Sequence, residues 1–280
     1  MKITKIEDLN NIPEGITELD ISGLGLTTLP SLPQSLTYLK CSYNQLTSLD
    51  NLAIVQRTEG PDAVNSLPQS LTKLDCCYNQ LTSLDNLPQG LTLLDCYNND
   101  LTSLDNLPQG LTNLNCGGNK LTSLDNLHQG LTELISSYNQ LTSLDNLPQS
   151  LTTLNCSGNK LTSLDNLPQS LTTLNCGGNK LTSLDNLPQD LTILYCYHNK
   201  LRNLNNLPQS LTSLDCMNNQ LTSLDIANCD KLGYLSCSNN NNFPEEMVTI
   251  LDDKDLTIQE KINKLIDGCL IPYDNSFVLK

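Results

Sequence analysis

The sequence predicts a solenoid, a stack of similar coils that each contribute one short strand to a parallel β-sheet. Three observations carry that prediction. A phrase close to LTxLxCxxNxLTSLDNLPQ recurs with a period of 20 residues along most of the chain. Within it, a Leu and a Cys two positions apart mark one face of a strand, because successive side chains point to opposite faces. The composition holds no Trp and two Phe, so a core must be built of Leu on Leu. One coil cannot bury its own leucines; the adjacent coils must cover them.

Residues 1–15 are expected to close the front of the stack. ITKIEDL offers a Thr4/Glu7 capping box for a short helix, with Ile3, Ile6 and Leu9 as its covering face. The solenoid is expected over 16–242. Its first coil, ITELDISGLGL, has Leu24 where later coils have Asn. The Asn column then runs Asn44, Asn79, Asn99, Asn119, Asn139, Asn159, Asn179, Asn199, Asn219 and Asn240. Each sits where the chain leaves the strand, and its amide is expected to satisfy backbone groups that no ladder reaches. In LTTLNC (171–176), Leu171, Leu174 and Cys176 point inward, while Thr173, Asn175 and Gly177 face the other way. Pro188 and its equivalents lie on the return path, where a missing N–H costs nothing and a fixed φ stiffens extended backbone. That path is too short for a full helix, so the convex side should be extended or polyproline-like with tight turns.

Asn44 and Asn79 are 35 residues apart, 15 more than one period. The excess falls mainly in AIVQRTEGPDAVNS (53–66), whose Gly60-Pro61 predicts a loop leaving the solenoid. It reads either as a tolerated insertion or as a partner-contacting loop. The last coil lengthens to LTSLDIANCDKLGYLSCSNN, and residues 243–280 are expected to form a small helical C-terminal cap. FPEEMVTILDD suggests a helix opening with Pro244 and two acids. LTIQEKINKLIDG suggests a second, ending at Gly268, with an apolar stripe of Ile258, Ile262, Leu265 and Ile266. A docking tail is the alternative.

Cys41, Cys76, Cys96, Cys116, Cys156, Cys176, Cys196, Cys216 and Cys237 share the third inward position, and Ser136 interrupts them. A free thiol there behaves as a small hydrophobe. Metal ligands come in clusters such as C-x2-C, and disulfides between neighbouring parallel strands would be strained. The row therefore reads as buried reduced thiols, with no metal or cofactor, in a reducing compartment such as the cytoplasm. Cys77, Cys229 and Cys269 lie off the row. Cys77 is expected to face outward and to be the most reactive. A second column comprises Asp50, Asp85, Asp105, Asp125, Asp145, Asp165, Asp185 and Asp225, with Asn205 in the gap. These carboxylates either accept hydrogen bonds from their own turns or form a cation ladder, although one carboxylate per coil offers few oxygens for calcium.

Eight of the nine tyrosines fall at or beside outward strand positions: Tyr38, Tyr43, Tyr78, Tyr97, Tyr138, Tyr195, Tyr197 and Tyr234, with His198 beside Tyr197. Tyrosine favours strands and is also enriched at interfaces. Together with His198 these residues are the candidate partner-contacting set on the concave face, flanked by Lys40, Lys73, Asp75, Asp95 and Asp215, with Ile135 and Ile193 also outward. The formal charge of −15 argues against nucleic acid and anionic membranes. No apolar run is long enough to span a bilayer, and MKITKIEDLNNIPEG lacks the apolar core of a signal peptide. The two histidines, His128 and His198, stand in no catalytic constellation, and no phosphate-loop, zincin or nucleophile-elbow motif occurs.

L-x-x-L-x-L-x-x-N-x-L is the leucine-rich repeat pattern. The fuller L-P-x-x-L-x-x-L-x-x-x-x-N-x-L-x-x-L resembles the short bacterial-type class, found in effector proteins that intracellular pathogens deliver into host cells; giant viruses carry similar repeats. The resemblance implies a curved horseshoe, a leucine-rich repeat solenoid whose concave parallel sheet carries partner contacts. Here "LDN" replaces the usual "LP", and no ubiquitin-ligase domain follows the repeats, so the resemblance implies no ligase activity. The resulting expectation is a non-enzymatic, monomeric scaffold that binds a protein partner, in the cytoplasm of its own or a host cell. The alternatives are a pathogen or viral effector recruiting a host protein, and a structural repeat protein without a dedicated ligand.

Overall fold

A computed structural model describes residues 1–50, 67–125, 127–240 and 242–267. The expected loop 53–66, Gly268 and Cys269 lie outside the described residues. The chain forms two compact units, Met1–Gln140 and Leu141–Lys280.

In the first unit six three-residue strands follow one another: β1 Glu18–Asp20, β2 Tyr38–Lys40, β3 Lys73–Asp75, β4 Leu93–Asp95, β5 Asn113–Asn115 and β6 Glu133–Ile135. Each pairs in parallel with the next, Leu opposite Leu at the centre. The second unit repeats the plan with β7 Thr153–Asn155, β8 Thr173–Asn175, β9 Ile193–Tyr195, β10 Ser213–Asp215 and β11 Tyr234–Ser236, again parallel and in sequence order. This is the leucine-rich repeat solenoid that the 20-residue period predicts. The strands are short because the inward pair, such as Leu174 and Cys176, needs only one turn of the pleat to reach the core. Both side chains are fully buried.

The return path is irregular, as its length dictates. In most coils a tight turn follows the proline, with the Leu91 N–H donating to the Pro88 carbonyl at 3.1 Å and Leu171 to Pro168 at 3.2 Å; His128 takes the proline's place in one coil, and the Leu131 N–H donates to its carbonyl. Two left-handed residues bend most coils among the described residues. One is the Asn of "LDN", such as Asn86 at φ 58° and Asn166 at φ 59°; the other directly precedes the column Asn, as at Gly118 (φ 65°) and Asn98 (φ 55°). Gly and Asn tolerate this region best, which accounts for "LDN" in this chain.

The front differs from expectation. Residues 1–3 run extended beside β1: the Ile3 N–H donates to the Asp20 carbonyl, and the Asp20 N–H to the Met1 carbonyl, both at 2.8 Å. Ile3 is buried. A 3-10 helix follows at Ile6–Asn11, but Lys5 precedes it and no side chain caps it. The Thr4/Glu7 capping box is absent, Ile6 is 59% exposed, and Leu9 is half-exposed. The open edge of β1 needs backbone partners, which an extended segment supplies and a helix does not.

At the other end, α1 Glu245–Asp252 begins after Pro244 with Glu245 and Glu246 in its first turn, and α2 spans Ile258–Asp267. Met247, Leu251, Ile262 and Leu265 are buried, and Ile258 is half-exposed. The Ile266 side chain lies outside the described residues. A capping box opens α2. The Thr257 N–H and hydroxyl both donate to Glu260 Oε2, at 2.8 and 2.7 Å, and the Glu260 N–H donates to Thr257 Oγ1 at 3.3 Å. No helix among the described residues is long and apolar enough to cross a membrane.

Candidate partner-binding face

The outward strand positions make two columns per unit. One holds Tyr38, Lys73, Leu93, Asn113 and Glu133; the other holds Lys40, Asp75, Asp95, Asn115 and Ile135, and most of these residues are half-buried. The polar members of the second column also close the strand. Asp75 Oδ1 accepts from the Cys77 N–H at 3.2 Å, Asp95 from Tyr97 at 3.2 Å and Asn175 from Gly177 at 3.1 Å. These Asx turns escape a sequence reading that treats the carboxylates only as flanking charge.

Beneath this face the Asn column holds the coils together. Asn119 Nδ2 donates to the carbonyls of Cys96, Cys116 and Gly117 at 3.0–3.1 Å, and its Oδ1 accepts from the Leu101 N–H at 3.0 Å. Asn179 repeats this with Cys156, Cys176, Gly177 and Leu161. The same pattern recurs, with the equivalent carbonyls, at Asn44, Asn79, Asn99, Asn139, Asn199, Asn219 and Asn240.

The cysteine row lies inside, free and buried at Cys41, Cys76, Cys96, Cys116, Cys156, Cys176, Cys196, Cys216 and Cys237. Cys96 Sγ approaches the Asn115 carbonyl at 3.2 Å. Burial pushes these thiols up, Cys116 and Cys156 to about 12. Cys77 corrects an expectation: it is 8% exposed and lies between the Asp75 and Asp95 carboxylates, with ligand atoms within 4.8 Å of one another. Burial, then hydrogen bonding to Asp95, pushes its thiol far up. A thiolate beside two carboxylates is disfavoured, so Cys77 is not a reactive surface thiol. The aspartate column does varied work: Asp225, followed by Ile226 rather than Asn, accepts from the Ala227 N–H at 3.2 Å, whereas Asp85 and Asp145 of "LDN" accept from the Ser83 and Ser143 hydroxyls.

The tyrosines divide into clustered and single rings. Tyr43 and Tyr78 stack at 4.4 Å between centroids, and Tyr97 meets Tyr78 edge-on at 5.4 Å. Burial and the Tyr78 neighbour push the Tyr97 phenol up. Tyr38, on β2, has Lys40 Nζ 5.0 Å and Lys73 Nζ 5.9 Å from its ring. In the second unit Tyr197 meets His198 edge-on at 5.9 Å, and the Ser213 hydroxyl donates to the Tyr195 hydroxyl at 3.4 Å. Tyr138 and Tyr234 are exposed and stack on no other ring among the described residues. Tyr43, Tyr78, Tyr138 and His198 share a feature that composition hides: each occupies the left-handed position before the column Asn, with φ of 55°, 50°, 54° and 50°. The legible signal is the column itself, because other coils place Gly or Asn there.

Residues 149–189 match the family model for leucine-rich repeats in two copies. YopM from Yersinia enterocolitica WA-314 has a similar structure, with a TM-score of 0.70 at 37% identity over 81% of this chain and 47% of that one. These are leucine-rich repeats of the short bacterial type. The functional domain of InlJ from Listeria monocytogenes, which includes a cysteine ladder, is 32% identical with a TM-score of 0.62, over 82% of this chain and 55% of that one. YopM from Yersinia pestis, a leucine-rich effector protein, is 28% identical with a TM-score of 0.52, over 84% of this leucine-rich repeat chain and 81% of that one. The chain spans about half the length of the first two. No curated protein matches it.

Proposed function

We propose that the protein is a non-enzymatic scaffold that binds a protein partner on the exposed face of its sheet, with the tyrosines as anchors. The observation that carries this reading is the left-handed backbone at Tyr43, Tyr78 and Tyr138. That conformation costs a bulky residue roughly 1–2 kcal/mol, and other coils avoid the cost with Gly118 or Asn98. Tyr43 is 62% exposed, although it stacks on Tyr78. Tyr138 is equally exposed and stacks on no other ring among the described residues, so ring packing does not offset its strain. Contact with a partner does: tyrosine brings a large amphipathic surface with little rotamer entropy to lose. Stacked coils hold the rings in place, so little ordering is needed on association. The free, buried thiols support a reducing compartment.

The test is capture from lysate by the wild type and by the triple variant Tyr43→Asn, Tyr78→Asn, Tyr138→Asn. Asn suits the left-handed position, and the strain it relieves offsets the lost Tyr43–Tyr78 and Tyr78–Tyr97 ring contacts, so the melting temperature should change little, while a partner held by the wild type should be lost. An unchanged set of captured proteins, with the fold intact, sinks the reading. A second reading, an effector acting on a host protein, draws on the likeness to YopM. It predicts that the tyrosine-dependent partner comes from a host lysate and not from the producing cell's own.

A further inference from the structure

On the face of the first unit, β4, β5 and β6 enclose a shallow groove of about 150 Å³. Leu93 and Ile135 form its apolar walls, and Asp95 and Glu133 contribute carboxylates. All four side chains are half-buried. Glu133 is held in place: Asn113 Nδ2 donates to its Oε2 at 2.6 Å. Asp95 is held by the Tyr97 N–H. Neither carboxylate has a cation, since the ion pairs among the described residues are Lys2–Asp20 and Lys120–Asp100. The nearby Lys73 amine lies towards the Tyr38 ring.

We propose that this groove is a subsite for an arginine side chain of a basic partner segment. The reading rests on the partner-binding role of the face and names the chemistry one part of it selects. An arginine fits on two counts. Its aliphatic stem can bury along Leu93 and Ile135 while the charged end stays at the polar rim. Its planar fork carries five donors and matches a carboxylate in two bonds at once. A lysine shares the stem but not the fork. A glutamate or phosphate would meet carboxylates of its own sign.

The test uses fluorescein-labelled hexa-arginine and hexa-lysine, followed by anisotropy at about 50 mM salt, where screening is moderate. A chain of charge −15 attracts any polycation, so variants decide. Glu133→Gln keeps the acceptor for Asn113 and removes the charge. Ile135→Ser leaves the charge unchanged and removes a wall. Asp165→Asn removes one exposed charge elsewhere. Hexa-arginine should bind more tightly than hexa-lysine; Glu133→Gln and Ile135→Ser should each weaken it about fivefold or more, and Asp165→Asn less than twofold. In the unaltered protein the Ile135 methyl resonance should shift on adding hexa-arginine, while that of Ile193, on the face of the second unit, stays put. Equal losses in Glu133→Gln and Asp165→Asn, or an unmoved Ile135 methyl, overturn the proposal. Tyrosine-dependent capture would then still stand, because that experiment leaves the groove intact.

Discussion

Residues 141–160 and 161–180 differ at one position, Ser157 against Gly177, and the structure supplies a reason. Gly177 lies under the ring of Tyr197 from the next coil, and a β-carbon built there would run into that ring. Gly117 sits likewise beside Tyr97, with a built β-carbon 3.1 Å from its ring. Ser157 meets Gly177 in the next coil, where no ring intrudes. Gly177→Ser should therefore force Tyr197 outward and cost about 1 kcal/mol, at the low end of overpacking because the ring can swing towards solvent. Tyr197→Ser made together with Gly177→Ser should recover most of that loss in a urea-unfolding double-mutant cycle. Additive effects of the two changes would deny the contact. The Asn and Cys columns are legible in the sequence because they repeat in register. This pair is not, because it joins residues 20 apart that meet only once the coils have stacked.

At the level of elements, the same four-letter pattern has two outcomes. Thr4-x-x-Glu7, expected to be a capping box, and Thr257-x-x-Glu260, not singled out in the sequence, share one spacing, and only the second forms the box. What separates them is the company each segment keeps. The front segment has the open edge of β1 to complete, and its backbone goes there. The rear segment carries a stripe that buries Ile262 and Leu265, and Lys261 Nζ ties it back to the Leu251 carbonyl of α1 at 2.6 Å. Local pattern proposes a cap, and the unpaired backbone nearby decides whether it is used. Thr257→Ala removes the side-chain half of the box and should cost α2 about 1 kcal/mol. Hydrogen exchange at α2 amides should accelerate about fivefold while exchange in the β-strands is unchanged. Unaltered α2 exchange would show that packing alone holds the helix. The tyrosine face is legible as a set of outward positions, and its left-handed backbone can be read from the Gly and Asn that other coils place in the same column. The groove across β4–β6 is not legible, because it depends on which coil stands beside which.

Across the molecule, the thiol row turns a per-coil feature into a collective pH dependence. Each sulfur is buried by the coil beside it, so its ionisation is tied to the integrity of the stack. A thiol in the unfolded chain ionises near 9, whereas burial holds Cys116 and Cys156 to about 12 and moves Cys76, Cys96, Cys176, Cys196 and Cys216 well above the ordinary value. Between those limits the unfolded chain has released protons that the fold still retains. Stability is thus complete below pH 9 and falls as pH rises towards 12. Each such thiol removes about 1.4 kcal/mol per pH unit in that window, and a fold is stable by only about 5–15 kcal/mol. Several thiols acting together should therefore unfold the protein well before pH 12, in one steep transition followed by circular dichroism. Ser136 fills the same position, fully buried, so Cys156→Ser is sterically acceptable. It should lower the urea midpoint at pH 7.5, through a buried hydroxyl, yet lessen the fall in stability between pH 7.5 and pH 10. If the wild type is as resistant to urea at pH 10.5 as at pH 7.5, the sulfurs are not sealed between coils and the stacking that buries them is wrong.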